Sequence, residues 1–197
     1  MDCLSQSLSE ITEWKTLLVC IIVMLNPLFW NVVSRLEYRT HILTKSLGSP
    51  KRGVTVLALC ILAMNSVRTT VFHKTMDGHT ICSAMQNEIF DALGYLLIVV
   101  GAVFVISSAY RLGFYCSFMG DYFGILLKKR VTGFPFNVVE DPMYVGSALV
   151  YMGLALQYGS LIGIVLTLCI SLSYVIAVLF EEPFTTQIYA GREIKTQ

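Results

Sequence analysis

Long stretches without a charged side chain alternate with short polar ones, and this alternation divides the chain. Four apolar runs stand out, Thr16 to Val33, Val54 to Phe72, Ala92 to Tyr110 and Tyr144 to Phe180. A helix rises 1.5 Å per residue, so ~20 apolar residues cross a hydrocarbon core of ~30 Å, which the second and third runs match. Only a helix satisfies its own backbone groups there, so the runs predict an all-α, polytopic integral membrane bundle. The first run contains Asn26-Pro27. Proline lacks a backbone donor, so this run is either a kinked span or a segment that enters the bilayer without crossing. The last run, as one helix, would be almost twice as long as the core is thick. It divides at Gln157-Tyr158-Gly159-Ser160, which predicts a helical hairpin with both ends on one face. The alternative is a single span near residues 160 to 180 after a surface helix.

The polar segments give the runs a direction. Arg35, Arg39, Lys45, Lys51 and Arg52 are opposed by Glu37 alone, and Arg111, Lys128, Lys129 and Arg130 follow the third run. Between them, residues 73 to 91 carry Lys74 against Asp77, Glu88 and Asp91. By the positive-inside rule the two basic segments face the cytoplasm and the acidic one faces the opposite side. Arg68, near the end of the second run, is expected to snorkel to the interface.

Composition sharpens this picture. The chain has 197 residues, 55% hydrophobic and 14% charged, whereas a soluble domain carries about 25% charge. The spans fill residues 1–197 as one membrane domain with no room for a soluble one. A net charge of +1 and the lack of a long basic tract argue against a nucleic-acid partner. The six cysteines show no CxxC or Cys/His spacing and read as small packing residues, with neither disulfides nor a metal site expected. Asp2, Glu10 and Glu13 outnumber Lys15 ahead of the first run, the reverse of a signal peptide, so that run is expected to be retained.

Candidate chemistry gathers in residues 120–146, a glycine- and aromatic-rich island between apolar runs, and at the pair Glu181-Glu182 that ends the last run. A hairpin would bring the pair back beside the island. Carboxylates at the edge of a long apolar run are costly there and tend to mark a site. Tyr122, Phe123, Phe134, Phe136 and Tyr144 offer faces for a quaternary ammonium or a sulfonium. They also suit an ordinary interfacial belt.

The blocks GDYFGIL, RVTGFPFN, DPMYVGS and EEPFTTQIY, with the earlier NPLFWNVVSRLEY at residues 26 to 38, resemble the phosphatidylethanolamine N-methyltransferase family of small integral membrane enzymes. The resemblance runs over most of the chain. It implies transfer of methyl groups from S-adenosylmethionine to phosphatidylethanolamine or its mono- and dimethyl forms, ending at phosphatidylcholine. It also implies the endoplasmic reticulum membrane, with mitochondria-associated membrane as a second location. In that family two motifs are assigned to the donor, a Gly-x-Gly in the third span and the Glu-Glu pair. The second is intact as Glu181-Glu182, and Tyr144 stands with it; the first aligns with Val99-Val100-Gly101, where only the second glycine is kept. Gly101 suits helix packing equally well.

Methyl transfer is a direct displacement, so the protein must align donor and amine and exclude water. The amine must also lose a proton. Glu181, Glu182, Asp121, Asp141 and His41 are candidate acceptors, although holding the donor's amino group or ribose hydroxyls is the favoured role for the two glutamates. Lys128, Lys129 and Arg130 are candidates for the lipid phosphate. The competing readings are methylation of another membrane acceptor, such as an isoprenylcysteine carboxylate, and a non-catalytic scaffold of lipid synthesis.

Overall fold

The computed structural model describes residues 3–129 and 131–195, and among them every regular element is helical. A short helix, α1 (Cys3–Ile11), leads into α2 (Trp14–Thr40), which continues through Pro27. Asn31, one turn on, donates its side-chain amide to the Pro27 carbonyl at 3.1 Å. Pro27 lacks the N–H that would bond the Val23 carbonyl, yet α2 runs on past it without a break. Of the two readings of the first run, this favours the span. Helix α2 is one of four described helices long and apolar enough to cross a bilayer.

At the end of α2, His41 takes a left-handed conformation, φ 52°, and turns the chain into α3 (Ile42–Leu47). The buried Glu37 carboxylate accepts from the backbone N–H groups of Leu43 at 2.7 Å and Thr44 at 3.2 Å. It thereby satisfies otherwise orphaned donors of α3 and fixes the turn. Helix α4 (Pro50–Asp77) starts on the Ser49 cap and carries the chain back to the far end.

Helix α5 (Glu88–Ser117) buries only Gly94, Gly101 and Ser108. These small residues recur every seven positions on one face, the spacing of a helix seam, and the remaining apolar face is free for lipid. Their partner is α6 (Pro142–Gln157), which runs antiparallel to α5. A Cβ on Gly146 would lie 2.6 Å from the Gly101 carbonyl, and one on Gly153 2.5 Å from the Gly94 carbonyl. Glycine at these positions lets the two backbones touch.

Near its end α5 breaks at Gly113, whose φ of 69° lies in the left-handed region. The chain then enters a single 3-10 turn at Gly120–Phe123 and irregular turns up to α6. The expected hairpin is present: α6 and α7 (Leu161–Lys195) pack antiparallel, joined at residues 158–160. At its tip the Gly159 carbonyl accepts from Cys82 N–H at 2.9 Å, so the tip lies against the loop between α4 and α5. The open ends of the hairpin therefore meet beside the island. Val23, Val54, Leu57, Phe72, Leu166 and Ile170 form the core where α2, α4 and α7 converge.

Two expectations are corrected. Cys82 is disulfide-bonded, whereas Cys20, Cys60, Cys116 and Cys169 are free thiols; Cys82 lies in the loop between α4 and α5, buried against Met85 and Leu156, and the scattered spacing of the cysteines gave no sign of its bond. Arg68 does not snorkel. It is 5% exposed, because α6 and α7 cover its face of α4. Its guanidinium lies 5.2 Å from the ring centre of Tyr151 and 5.5 Å from that of Tyr174, and Nε donates to the Tyr151 hydroxyl at 3.3 Å. Arg68→Lys keeps the charge but loses the planar stack, with an expected cost of about 1–2 kcal/mol. Thermal unfolding in detergent should read this as a fall of a few degrees, and an unchanged midpoint would refute it.

Candidate active site

Helix α7 delivers Glu181 to the point where α2 and α6 close upon it. Its Oε1 accepts from Trp30 Nε1 at 2.9 Å and from Asn31 Nδ2 at 2.7 Å, both on α2. Its Oε2 accepts from the Tyr144 hydroxyl at 2.7 Å, from the first turn of α6. A carboxylate at the membrane edge is tolerated when its oxygens are hydrogen-bonded, and these three donors meet that need. The Trp30 and Tyr144 rings lie nearly parallel, 6.4 Å apart, and Tyr144 packs on Tyr174 at 4.8 Å. A cavity opens beside this cluster, lined by Leu112 and Cys116 of α5, by Phe136 and Asp141 of the island, and by Tyr144 and Glu181. Burial, followed by the negative charges of Glu182 and Glu140, pushes the Asp141 carboxyl above the ordinary aspartate range. Aromatic faces and carboxyl groups converging on one cavity suit a cationic ligand.

The model of the phospholipid methyltransferase family matches residues 89–192, the segment from α5 through α7 that forms most of this cavity. The chain belongs to the phospholipid methyltransferase family. It is 44% identical over 182 residues to phosphatidyl-N-methylethanolamine N-methyltransferase of Saccharomyces cerevisiae, covering 92% of this chain and 87% of that one. Phosphatidylethanolamine N-methyltransferase of Mus musculus is 44% identical over 178 residues, 90% of this chain and 89% of its own. The Homo sapiens protein of the same name is 42% identical over 169 residues, 86% of this chain and 85% of its own. No solved structure matches the chain.

In this methyltransferase the cavity unites Glu181, Tyr144, Asp141 and Phe136 from among the residues singled out in the sequence. Glu182 is exposed and acts electrostatically on Asp141. Asp121 lies one turn past the cavity, accepting from Thr185 Oγ1 at 3.1 Å. Tyr122 and Phe123 are buried plugs: Tyr122 stacks on Phe184 at 5.1 Å, and Phe123 lies over Gly53, where a Cβ would sit 2.7 Å from its ring. Phe134 is half exposed near Phe104, and Lys128, Lys129 and His41 are exposed away from the cavity. Arg130 lies outside the described residues. Val99 and Val100 face outward from α5, while Gly101 packs on α6.

Sequence reasoning passed over Trp30 and Asn31. Both sit inside an apolar run, where an indole and an amide read as interruptions. No sequence signal marks them, because their role comes from Glu181 of α7, some 150 residues further along the chain.

Proposed function

We propose that this methyltransferase acts on the amine of phosphatidylethanolamine or of its mono- and dimethyl forms, with S-adenosylmethionine as donor, at the cavity beside Glu181. The observation that carries the proposal is the Glu181 carboxylate, fixed by Trp30, Asn31 and Tyr144 at the wall of a cavity shared with Asp141 and Phe136. S-adenosylmethionine supplies an electrophilic methyl group on a sulfonium and also carries an ammonium. The residues fit those two cations: Glu181 holds the ammonium or the ribose hydroxyls, Glu182 adds negative charge from outside the cavity, and the Tyr144 and Phe136 rings face the sulfonium. Asp141, with its carboxyl held above the usual range, accepts the proton that the acceptor ammonium loses. The α5, α6 and α7 walls keep water from the displacement.

The basic end, with Arg35, Arg39, Lys45, Lys51 and Arg52, faces the cytoplasm in this reading. A disulfide at Cys82, at the opposite end, fits the oxidising lumen of the endoplasmic reticulum.

The test is methyl transfer from labelled S-adenosylmethionine by the purified, lipid-reconstituted chain, with each of the three acceptors offered separately. Label is expected in the mono- and dimethyl lipids at least, and label in phosphatidylethanolamine as well makes a three-step enzyme. No label in any lipid, from folded protein, would sink the reading.

A further inference from the structure

A second concavity lies between α2 and α7, lined by residues that flank Glu181 along α7. It has a volume of about 250 Å³ and is lined by Arg35, Leu179, Phe180, Pro183, Phe184 and Gln187. Leu179 and Phe180 are 68% and 55% exposed, so the groove opens on the outer, bilayer-facing surface. Arg35 is its only charged lining residue among those described. Its Nη2 donates to the Phe180 carbonyl at 2.7 Å, and the guanidinium lies 5.6 Å and 5.0 Å from the ring centres of Phe180 and Phe184. These contacts fix the guanidinium plane without neutralising its charge. Its Nε is buried with no hydrogen-bond partner, and no described carboxylate pairs with it. Arg35 follows Asn31 by one helical turn on α2, and Asn31 holds Glu181. The groove is therefore one turn nearer the basic end than the carboxylate.

We propose that Arg35 binds the phosphodiester of the acceptor lipid in the α2–α7 groove, so that the two-carbon ethanolamine arm reaches in beside Glu181. The proposal rests on the phospholipid N-methylation reading above and names a headgroup residue for it. A guanidinium presents a planar fork of donors that matches phosphate oxygens. Here the fork is already oriented by a carbonyl and two rings, so little side-chain freedom remains to be lost on binding. The acyl chains stay in the bilayer along Leu179 and Phe180. Lys128 and Lys129, the residues expected from the sequence to meet the phosphate, are not part of this groove.

Two acceptors with the same acyl chains test the assignment, dimethyl-phosphatidylethanolamine and a phosphate-free dimethylaminoethyl ether of diacylglycerol. Each is titrated against full-length wild type, Arg35→Lys and Arg35→Gln in mixed micelles. The ratio of kcat/KM for the phospholipid to that for the phosphate-free amine does not depend on how much of a variant folds. It is expected to fall about 10- to 100-fold in Arg35→Gln, as charged hydrogen bonds are lost, and by less in Arg35→Lys, with the donor KM unchanged. An unchanged ratio overturns the proposal. So does a raised donor KM at a constant ratio, which would place the donor's carboxylate on Arg35. Retention of the phospholipid without donor, followed by native mass spectrometry, separates the two claims. Arg35-dependent retention without methyl transfer upholds the phosphate site and refutes the methylation reading, whereas methyl transfer with retention independent of Arg35 does the reverse.

Discussion

Replacing Glu181 by Gln is expected to lower kcat/KM by about 100-fold or more, from the loss of at least one charged hydrogen bond and the misfit of another. Trp30, Asn31 and Tyr144 all donate to the Glu181 carboxylate. A glutamine amide offers one neutral oxygen to Trp30 and Asn31, and its NH2 keeps the Tyr144 contact only by reversing that bond so that the hydroxyl accepts. Removing an acceptor from buried donors costs about 1–3 kcal/mol, and more when the lost acceptor is charged. Glu182 is exposed and acts through solvent-screened charge, so Glu182→Gln is expected to lose at least about tenfold less. Initial rates across a donor titration distinguish the roles. A rise in donor KM at constant kcat places Glu181 on the donor, and a fall in kcat at constant KM makes it the proton acceptor. Thermal unfolding must show that the variant keeps its fold. Full activity at low donor concentration, or an equal loss in Glu182→Gln, would contradict the geometry.

The hydropathy pattern carried the architecture because length and charge decide what can lie in a bilayer. The hairpin at residues 158–160 and the meeting of its ends beside the island were legible for that reason. Which face of each helix packs was much less legible. In lipid a helix is apolar all round, so the buried side is marked by small residues and not by hydrophobicity. Gly94, Gly101 and Ser108 carry that mark at a heptad spacing, yet each resembles an incidental small residue in the sequence. Arg68 misled for a related reason. Its place near a helix end permits snorkelling, and only the Tyr151 and Tyr174 rings from α6 and α7 decide that it stays inside. Glu181 could be found because a charge ends a long apolar run. Trp30, Asn31 and Arg35 could not, since their roles depend on α2 lying beside α7, a pairing that the order of elements does not reveal.

Gly101→Val is expected to destabilise the protein by about 3 kcal/mol or more, combining overpacking with the parting of two helices. The Gly101 and Gly146 backbones are in contact, and a second contact at Gly94 and Gly153 depends on the same approach of α5 to α6. Inserted methyl groups must push α6 outward. The displacement reaches the active site because Tyr144, two residues before Gly146, would then lose its bond to Glu181. Activity should therefore fall together with the unfolding temperature, by roughly 6–12 °C for a chain of this size. Val99→Gly restores the Gly-x-Gly pattern of the family and separates packing from donor binding. Val99 is 60% exposed on the outer face of α5, so the change should cost about 0.3–0.5 kcal/mol of helix stability and leave the donor KM within about twofold, well under the tenfold that 1.4 kcal/mol of binding would give. Were Val99→Gly instead to tighten the donor tenfold, the third span would be contributing backbone to the donor site, and the outward placement of residues 99 and 100 would have to be abandoned. The structure commits Gly101 to the α5–α6 seam, so its loss should be read first in the unfolding curve and only through Tyr144 in the rate.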